Sequence, residues 1–255
     1  MTRHTILRDD DRDRAALHAL RTLETDAATL YAEAMLDLRP WDQWSSDGQP
    51  SPGTPEVITT LESVLRRNPA HPGACHYYIH AVEASRTPER ALPCAEQLPD
   101  LMPGAGHLVH MPAHIYMRLG RYADAVQANE HAAHADEHFI ADRHPTGVYP
   151  RMYYPHNLHF LSVASMMEGH SAGAITAARN LAESFPAEVA RAIPDVEYFV
   201  PFAAVTLARF GRWKDVLAQP APPPDLKFAT GIWLYSQGMA RAAVGDPKGA
   251  RAALD

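Results

Sequence analysis

Apolar residues recur at intervals of three and four along most of the chain, as in LVHMPAHIYMRL and NLHFLSVASMM. The segments that follow carry small residues at the same interval, as in ADAVQANEHAA and AGAITAARNLA. That interval is helical, and no run shows the period of two that a half-buried strand requires. The pattern therefore predicts an all-α chain of helix pairs. A turn separates the members of each pair: GRYADA at Gly120, GHSAGA at Gly169, GRWKDV at Gly211 and GDPKGA at Gly245, with RTPERA at Arg86 a weaker copy. Arg86 to Gly120 and Gly211 to Gly245 each span 34 residues, while the intervening gaps of 49 and 42 imply insertions into the same unit. RHPTGVYPRMYYP accounts for the longer gap, and QPAPPPD at 219–225 is a stiff proline connector.

Ahead of these pairs, residues 13–36 predict one or two further helices. The segment LRPWDQWSSDGQPSPGT follows and is expected to form a long ordered loop or lid, because Trp41 and Trp44 give it something to bury. The expected organisation is a 1–53 segment packing on a helical array at 54–255, in a single compact unit overall.

A period of 34 with a helix, a glycine turn, an aromatic residue two positions later and an alanine three further on resembles the tetratricopeptide repeat, over Thr54 to Asp255. The blocks HPGACHYYIHAVEAS, PGAGHLVHMPAHIYMRLGRY and YYPHNLHFL together resemble a bacterial subfamily of tetratricopeptide proteins sharing these histidine-rich stretches, over about Leu38 to Leu181. The resemblance implies a right-handed superhelix of antiparallel helix pairs, a TPR-like solenoid whose first helices line a concave groove. The last predicted pair ends on DPKGARAALD with no polar capping helix after it. Solenoids shield that end, so the expectation is a homodimer through it or a shortened form of a longer relative.

Composition narrows the function. A hydrophobic content of 46% suits a folded domain, and a net charge of −7 with both signs interspersed excludes the basic surface that nucleic acid or an anionic membrane would need. No apolar run approaches a membrane span, and the charged start MTRHTILRDDDRDR is unlike a secretory signal, so the expected location is cytoplasmic. Cys75 and Cys94 form neither a CxxC motif nor a disulfide framework, which fits a reducing compartment; Cys75 is expected to pack in the core. Walker, GxGxxG, HExxH and GxSxG motifs are missing.

The departure from ordinary composition is fifteen histidines, clustered from His71 to His170. His107, His110 and His114 share one helical face. Superposing the repeats through their turns sets His76 on His110 and His80 on His114, each offset by 34, and sets His156 and His159 on His107 and His110. Glu83 lies on the face of His80. The later repeats carry Tyr198 and Tyr235 at matching positions, so histidine is not a folding requirement of the unit. Seven imidazoles side by side need partners for every donor and acceptor, and protonated rings repel; a bound metal relieves both costs. By the family resemblance these positions converge on the groove, with Leu108, Met111, Ile115, Leu158 and Val163 packing between them.

The expected site is thus a metal centre of His76, His80, His107, His110, His114, His156 and His159, with Glu83 as the catalytic carboxylate. Tyr77, Tyr153, Tyr154 and Tyr198 are expected to wall a substrate pocket. A nitrogen-rich ligand set selects copper, with zinc or iron as alternatives, and seven histidines suffice for two ions. Three histidines per ion on helices is similar to the dinuclear site of tyrosinase-like type 3 copper proteins in ligand type and number, on an unrelated fold. The functional expectation is a copper-dependent oxidase or oxygenase acting with dioxygen on a small organic substrate. The alternatives are a zinc hydrolase, with Glu83 as base, and a non-enzymatic peptide-binding scaffold. His131, His134 and His138, among Glu130, Asp136 and Glu137, are expected on a solvated face, and His71 in a structural turn. Pro112, between His110 and His114, is expected to kink their helix.

Overall fold

The computed structural model describes residues 23–253, and among them the chain is helical, with no strand. Its helices are α1 (23–37), α2 (Thr54–Arg67), α3 (Pro72–Val82), α4 (Leu92–Leu101), α5 (Gly106–His110), α6 (Pro112–Arg118), α7 (Tyr122–Arg143), α8 (Val148–Glu168), α9 (Ser171–Glu183), α10 (Ala187–Ala192), α11 (Phe202–Arg209), α12 (Trp213–Leu217), α13 (Lys227–Ala243) and α14 (Pro247–Ala252). Short 3-10 turns cover Pro88–Ala91 and Pro194–Phe199. Of the first predicted helices, the part in residues 13–22 lies outside the described residues. The chain divides into two compact units: Met1–Pro103 with His114–Leu119, and Gly104–Ala113 with Gly120–Asp255.

In the first unit α3 packs against α2 and α4 over a core that includes Val57, Leu61, Ile79, Val82 and Leu98. His71 caps α3: its Nδ1 accepts from the Ala74 amide at 3.2 Å, and its Nε2 lies 3.0 Å from Asp26 Oδ1. The histidine expected in a structural turn therefore secures the start of the helix that carries His76 and His80. The loop at 38–53 is ordered by Trp44, whose indole N–H donates to Ala81 O at 2.8 Å. Trp41 does not share that role, being 87% exposed.

Cys75 and Cys94 form a disulfide between α3 and α4, with Cα atoms 4.9 Å apart. This corrects the expectation of unpaired thiols and withdraws the cysteine argument for a reducing compartment. The two residues are 19 apart in sequence and meet only once α3 and α4 are packed, so spacing alone does not reveal the pairing. Cys75 is buried, as expected.

In the second unit α7 packs on α5 and α8, α8 on α9, α9 on α11, and α13 on α11, α12 and α14. One apolar cluster gathers Leu158, Leu181, Phe185, Val196, Phe202 and Leu226; another gathers Ile175, Leu207, Val216 and Ala240. Pro112 does more than kink its helix: α5 ends at His110 and α6 starts afresh at Pro112. A proline supplies no amide hydrogen to the preceding turn, so the ladder is interrupted there. Pro155, by contrast, is accommodated inside α8.

Each of the four turn glycines separates two helices with a left-handed backbone: Gly120 at φ 72°, Gly169 at 86°, Gly211 at 65° and Gly245 at 84°. An L side chain resists that region, so glycine is selected there for backbone freedom. Gly231 is different. It lies inside α13, and a Cβ there would meet nothing within 4 Å. Gly169→Ala is accordingly expected to cost about 1–2 kcal/mol, and Gly231→Ala to add about 0.5–1 kcal/mol. Urea midpoints of the two variants should move in opposite directions.

Candidate metal centre

The first unit brings four of the expected residues together. His76, His80 and Glu83 stand on successive turns of α3 and its end, and His114 comes from α6. The His76 and His80 rings are 5.0 Å apart, as are those of His80 and His114. Glu83 joins the group through both carboxylate oxygens: the Nδ1 of His114 lies 2.6 Å from Oε2, and that of His80 lies 3.1 Å from Oε1. Each imidazole that gives its Nδ1 proton to Glu83 carries its lone pair on Nε2, the tautomer that binds metals. His80, Glu83 and His114 offer ligand atoms that all lie within 4.8 Å of one another.

Burial favours the ligand form of His76 and His80. Burial, reinforced by His80 and His114, pushes the His76 imidazole down to about 3. Burial also lowers His80, against the hydrogen bond it donates to Glu83. Neutral imidazoles at physiological pH are what a cation needs. Burial acts to raise Glu83, but the charge of His114 and the hydrogen bonds from His114 and His80 hold its carboxyl well below the usual carboxylate range. A carboxylate held so low is a weak proton acceptor. Its geometry gives it the task of orienting two imidazoles.

The second unit brings together His107 and His110 of α5 with His156 of α8. The deciding contact is a hydrogen bond between Nε2 of His156 and Nε2 of His110, 3.1 Å long. His110 is fully buried, and its Nδ1 is 2.7 Å from Asn129 Oδ1. Asn129 donates its own amide hydrogen to Ala125 O at 2.7 Å, which turns its oxygen toward the ring. His110 therefore donates from Nδ1 and presents a lone pair at Nε2, toward His156. Two metal–nitrogen bonds of about 2.05 Å separate their nitrogens by about 2.9 Å at a right angle and about 3.3 Å at the tetrahedral angle. The hydrogen-bonded separation falls between these, so the spacing of the two nitrogens is compatible with a shared ion in place of the shared proton.

His107 completes the trio, its ring 5.8 Å from that of His110 and 6.3 Å from that of His156. Phe160 stands edge-on to His110 at 4.7 Å and packs on His156 at 4.9 Å, which gives the pair an apolar wall. Tyr153 lies 4.7 Å from His107, and Tyr77 lies 4.6 Å from His76 in the first unit. The other two expected pocket tyrosines lie elsewhere. The hydroxyl of Tyr154 donates to Glu137 at 3.0 Å, and Tyr198 packs with His159 at 6.1 Å.

His159 is set apart from the other histidines, its ring held 5.2 Å from Phe199 and 4.7 Å from Phe202. No protein-family model matches this chain, and no curated protein does. The assignment of these residues accordingly rests on their geometry.

A further network, which the sequence reading missed, fixes α5. Asp136 was expected among solvated residues but is fully buried. Its oxygens accept from the Tyr149 hydroxyl at 2.7 Å and from Asn157 Nδ2 at 2.7 Å, and Tyr149 in turn hydrogen-bonds the His107 backbone. Burial raises the Asp136 carboxyl above its ordinary value, opposed by those two donors. The carboxylate comes so close to α5 that a Cβ on Gly106 would overlap it, so this glycine is required by close approach. The available signal was register: Ala125, Asn129, Ala132 and Asp136 follow one another at helical spacing on the buried stripe of α7.

His159 supplies a test of these electrostatics that is independent of any metal. Burial lowers it from 6.5 to about 4. A depressed histidine adds no penalty above its unfolded value, and stability is lost as pH falls from there toward the folded value. Between pH 8 and pH 5 the loss should be about 2 kcal/mol. His159→Leu should remove that part of the acid sensitivity, so the stability difference between variant and wild type, from urea unfolding at the two pH values, should shift by about that amount in the variant's favour.

Proposed function

We propose that this chain is a histidine-ligated transition-metal protein that uses copper to oxidise a small organic substrate with dioxygen. The observation that carries the metal is the His110–His156 pair. Two imidazole nitrogens face each other at chelating distance, with the tautomer of one fixed by a buried asparagine. The ligands in this reading are His76, His80, His107, His110, His114 and His156, enough for two ions; His159 is left out because it is enclosed by aromatic rings.

The preference for copper follows from what Glu83 does. Hydrolytic dizinc sites use carboxylates as bridging ligands or bases. In this chain the nearby carboxylate is committed to two imidazole Nδ1 atoms, which leaves nitrogen as the ligand element and favours copper over zinc. Copper supplies one-electron exchange with dioxygen and an organic reductant. The protein's own contribution is to hold His76 and His80 neutral by burial, to aim His80, His114 and His110 through Glu83 and Asn129, and to pack Phe160 against His110 and His156. Tyr77 and Tyr153, each in ring contact with a ligand histidine, suit a flat aromatic substrate.

The fold in this proposal is an array of tetratricopeptide-like helix pairs, supported by four left-handed glycine turns at the positions of the sequence repeat. No helix of the described residues is long and apolar enough to cross a membrane. The Cys75–Cys94 pair argues for an oxidising compartment over the cytoplasmic one expected from composition.

Elemental analysis of tag-free protein should find close to stoichiometric copper after loading, and His110→Ala/His156→Ala should lose a large share of it. Full metal content in that variant would place the ligands elsewhere. Glu83→Gln should keep the fold but weaken copper binding by about 10–100-fold, the usual effect of removing a partner that orients a ligand. Competition with a chromogenic chelator measures this. Copper-dependent oxygen consumption with small aromatic reductants separates an oxidase from a storage protein, which would bind the ion and consume none.

A further inference from the structure

We infer that α7 carries a second, surface metal site formed by His134 and His138, which takes a divalent transition cation such as zinc. It stands on residues that the proposed copper centre does not use. Glu130, His134 and His138 follow one another at intervals of four on a helix of 22 residues, so their side chains form one stripe. All three are exposed. The His134 and His138 rings already meet, with centroids 4.4 Å apart and planes at 87°. Among the described residues neither ring is engaged in a hydrogen bond or ion pair.

Two histidines at this spacing on one helical face form a bidentate nitrogen donor, the arrangement by which helices bind zinc. The backbone between them is already helical, so binding orders two side-chain ends and no main chain. Glu130, one turn before His134, and Asp142, one turn after His138, add negative charge beside the pair. Glu137 accepts from Tyr154 and is directed elsewhere. Two imidazoles with water in the remaining positions suit zinc, copper(II) or nickel(II); calcium and magnesium call for oxygen ligands.

Exposure sets the character of the site. Water fills the remaining coordination positions and can leave readily, so this ion is held more weakly and exchanges faster than one enclosed by buried imidazoles. The opposite face of the same helix carries Asn129 and Asp136, both fully buried. Substitutions on the outer stripe therefore leave the inner supports of His110 and His107 untouched, and the two sites are separable by mutation.

Zinc alone is the probe, titrated by calorimetry into the tag-free full chain. Wild-type protein should show a tighter class of binding and a weaker class of about one ion per chain. His134→Ala/His138→Ala should lose the weaker class and keep the tighter one; alanine is favourable in a helix, so the fold is retained. His110→Ala/His156→Ala should keep the weaker class whatever becomes of the tighter one, so failure of the buried centre and failure of the surface site give different isotherms. Absence of a weaker class in the wild type, or its survival in His134→Ala/His138→Ala, overturns the inference.

Discussion

A neutral imidazole has one lone pair, and the hydrogen bond made by one ring nitrogen decides that the other carries it. This constraint governs the histidine-rich region. In the first unit a single carboxylate, Glu83, receives the Nδ1 atoms of His80 and His114. In the second, Asn129 receives the Nδ1 of His110. In all three rings Nδ1 is directed to a protein acceptor, which in the neutral ring places the lone pair on Nε2. Rings buried only to fill a core would have no reason to share that sense.

The supports are expensive, which is a reason to read them as functional. A buried amide and a buried carboxylate each cost desolvation free energy unless every polar atom is partnered, and alanine at either position would have packed with its neighbours. Asn129 is partnered by Ala125 and His110; Asp136 by Tyr149 and Asn157. Both stand on a helix whose other buried residues are alanines and Val126, and both act on α5, the five-residue helix that holds His107 and His110. A helix that short has too few internal hydrogen bonds to hold itself. Interrupted at its end by Pro112, it takes its position from α7 and α8.

Local chemistry was legible in the sequence, and what depended on which faces meet was not. The 3.6-residue period gave the helices, and the repeat of glycine gave turns that all proved left-handed, because both signals are written within a few adjacent residues. Spacing alone put His80 beside Glu83, but that His114 takes the other carboxylate oxygen depends on how α6 packs near α3. The Cys75–Cys94 pair was hidden for the same reason. Asp136 was misplaced because its neighbours Glu130, His134, Glu137 and His138 are polar, and local polarity outweighed the register that sets it on the inner stripe. His159 was grouped with His110 by repeat alignment. Its actual neighbours, Phe199 and Phe202, lie forty or more residues further along, beyond the reach of that alignment.

Helix α7 shows how one element can serve two chemistries without conflict. Its inner stripe carries an amide and a carboxylate that act through buried hydrogen bonds, Asn129 on His110 directly and Asp136 through Tyr149 and the His107 backbone. Its outer stripe carries imidazoles in water, where solvent supplies any missing partner and a cation adds to the structure without being needed by it. The period of 3.6 makes this division possible: residues 129 and 136 fall on one side, residues 130, 134 and 138 on the other. Sequence distance between the two sets is as little as one residue, yet a side chain in either can change without disturbing the other. Histidine density along the chain is therefore a poor guide to how many of these rings act together. The hydrogen-bond acceptor behind each ring is the better one.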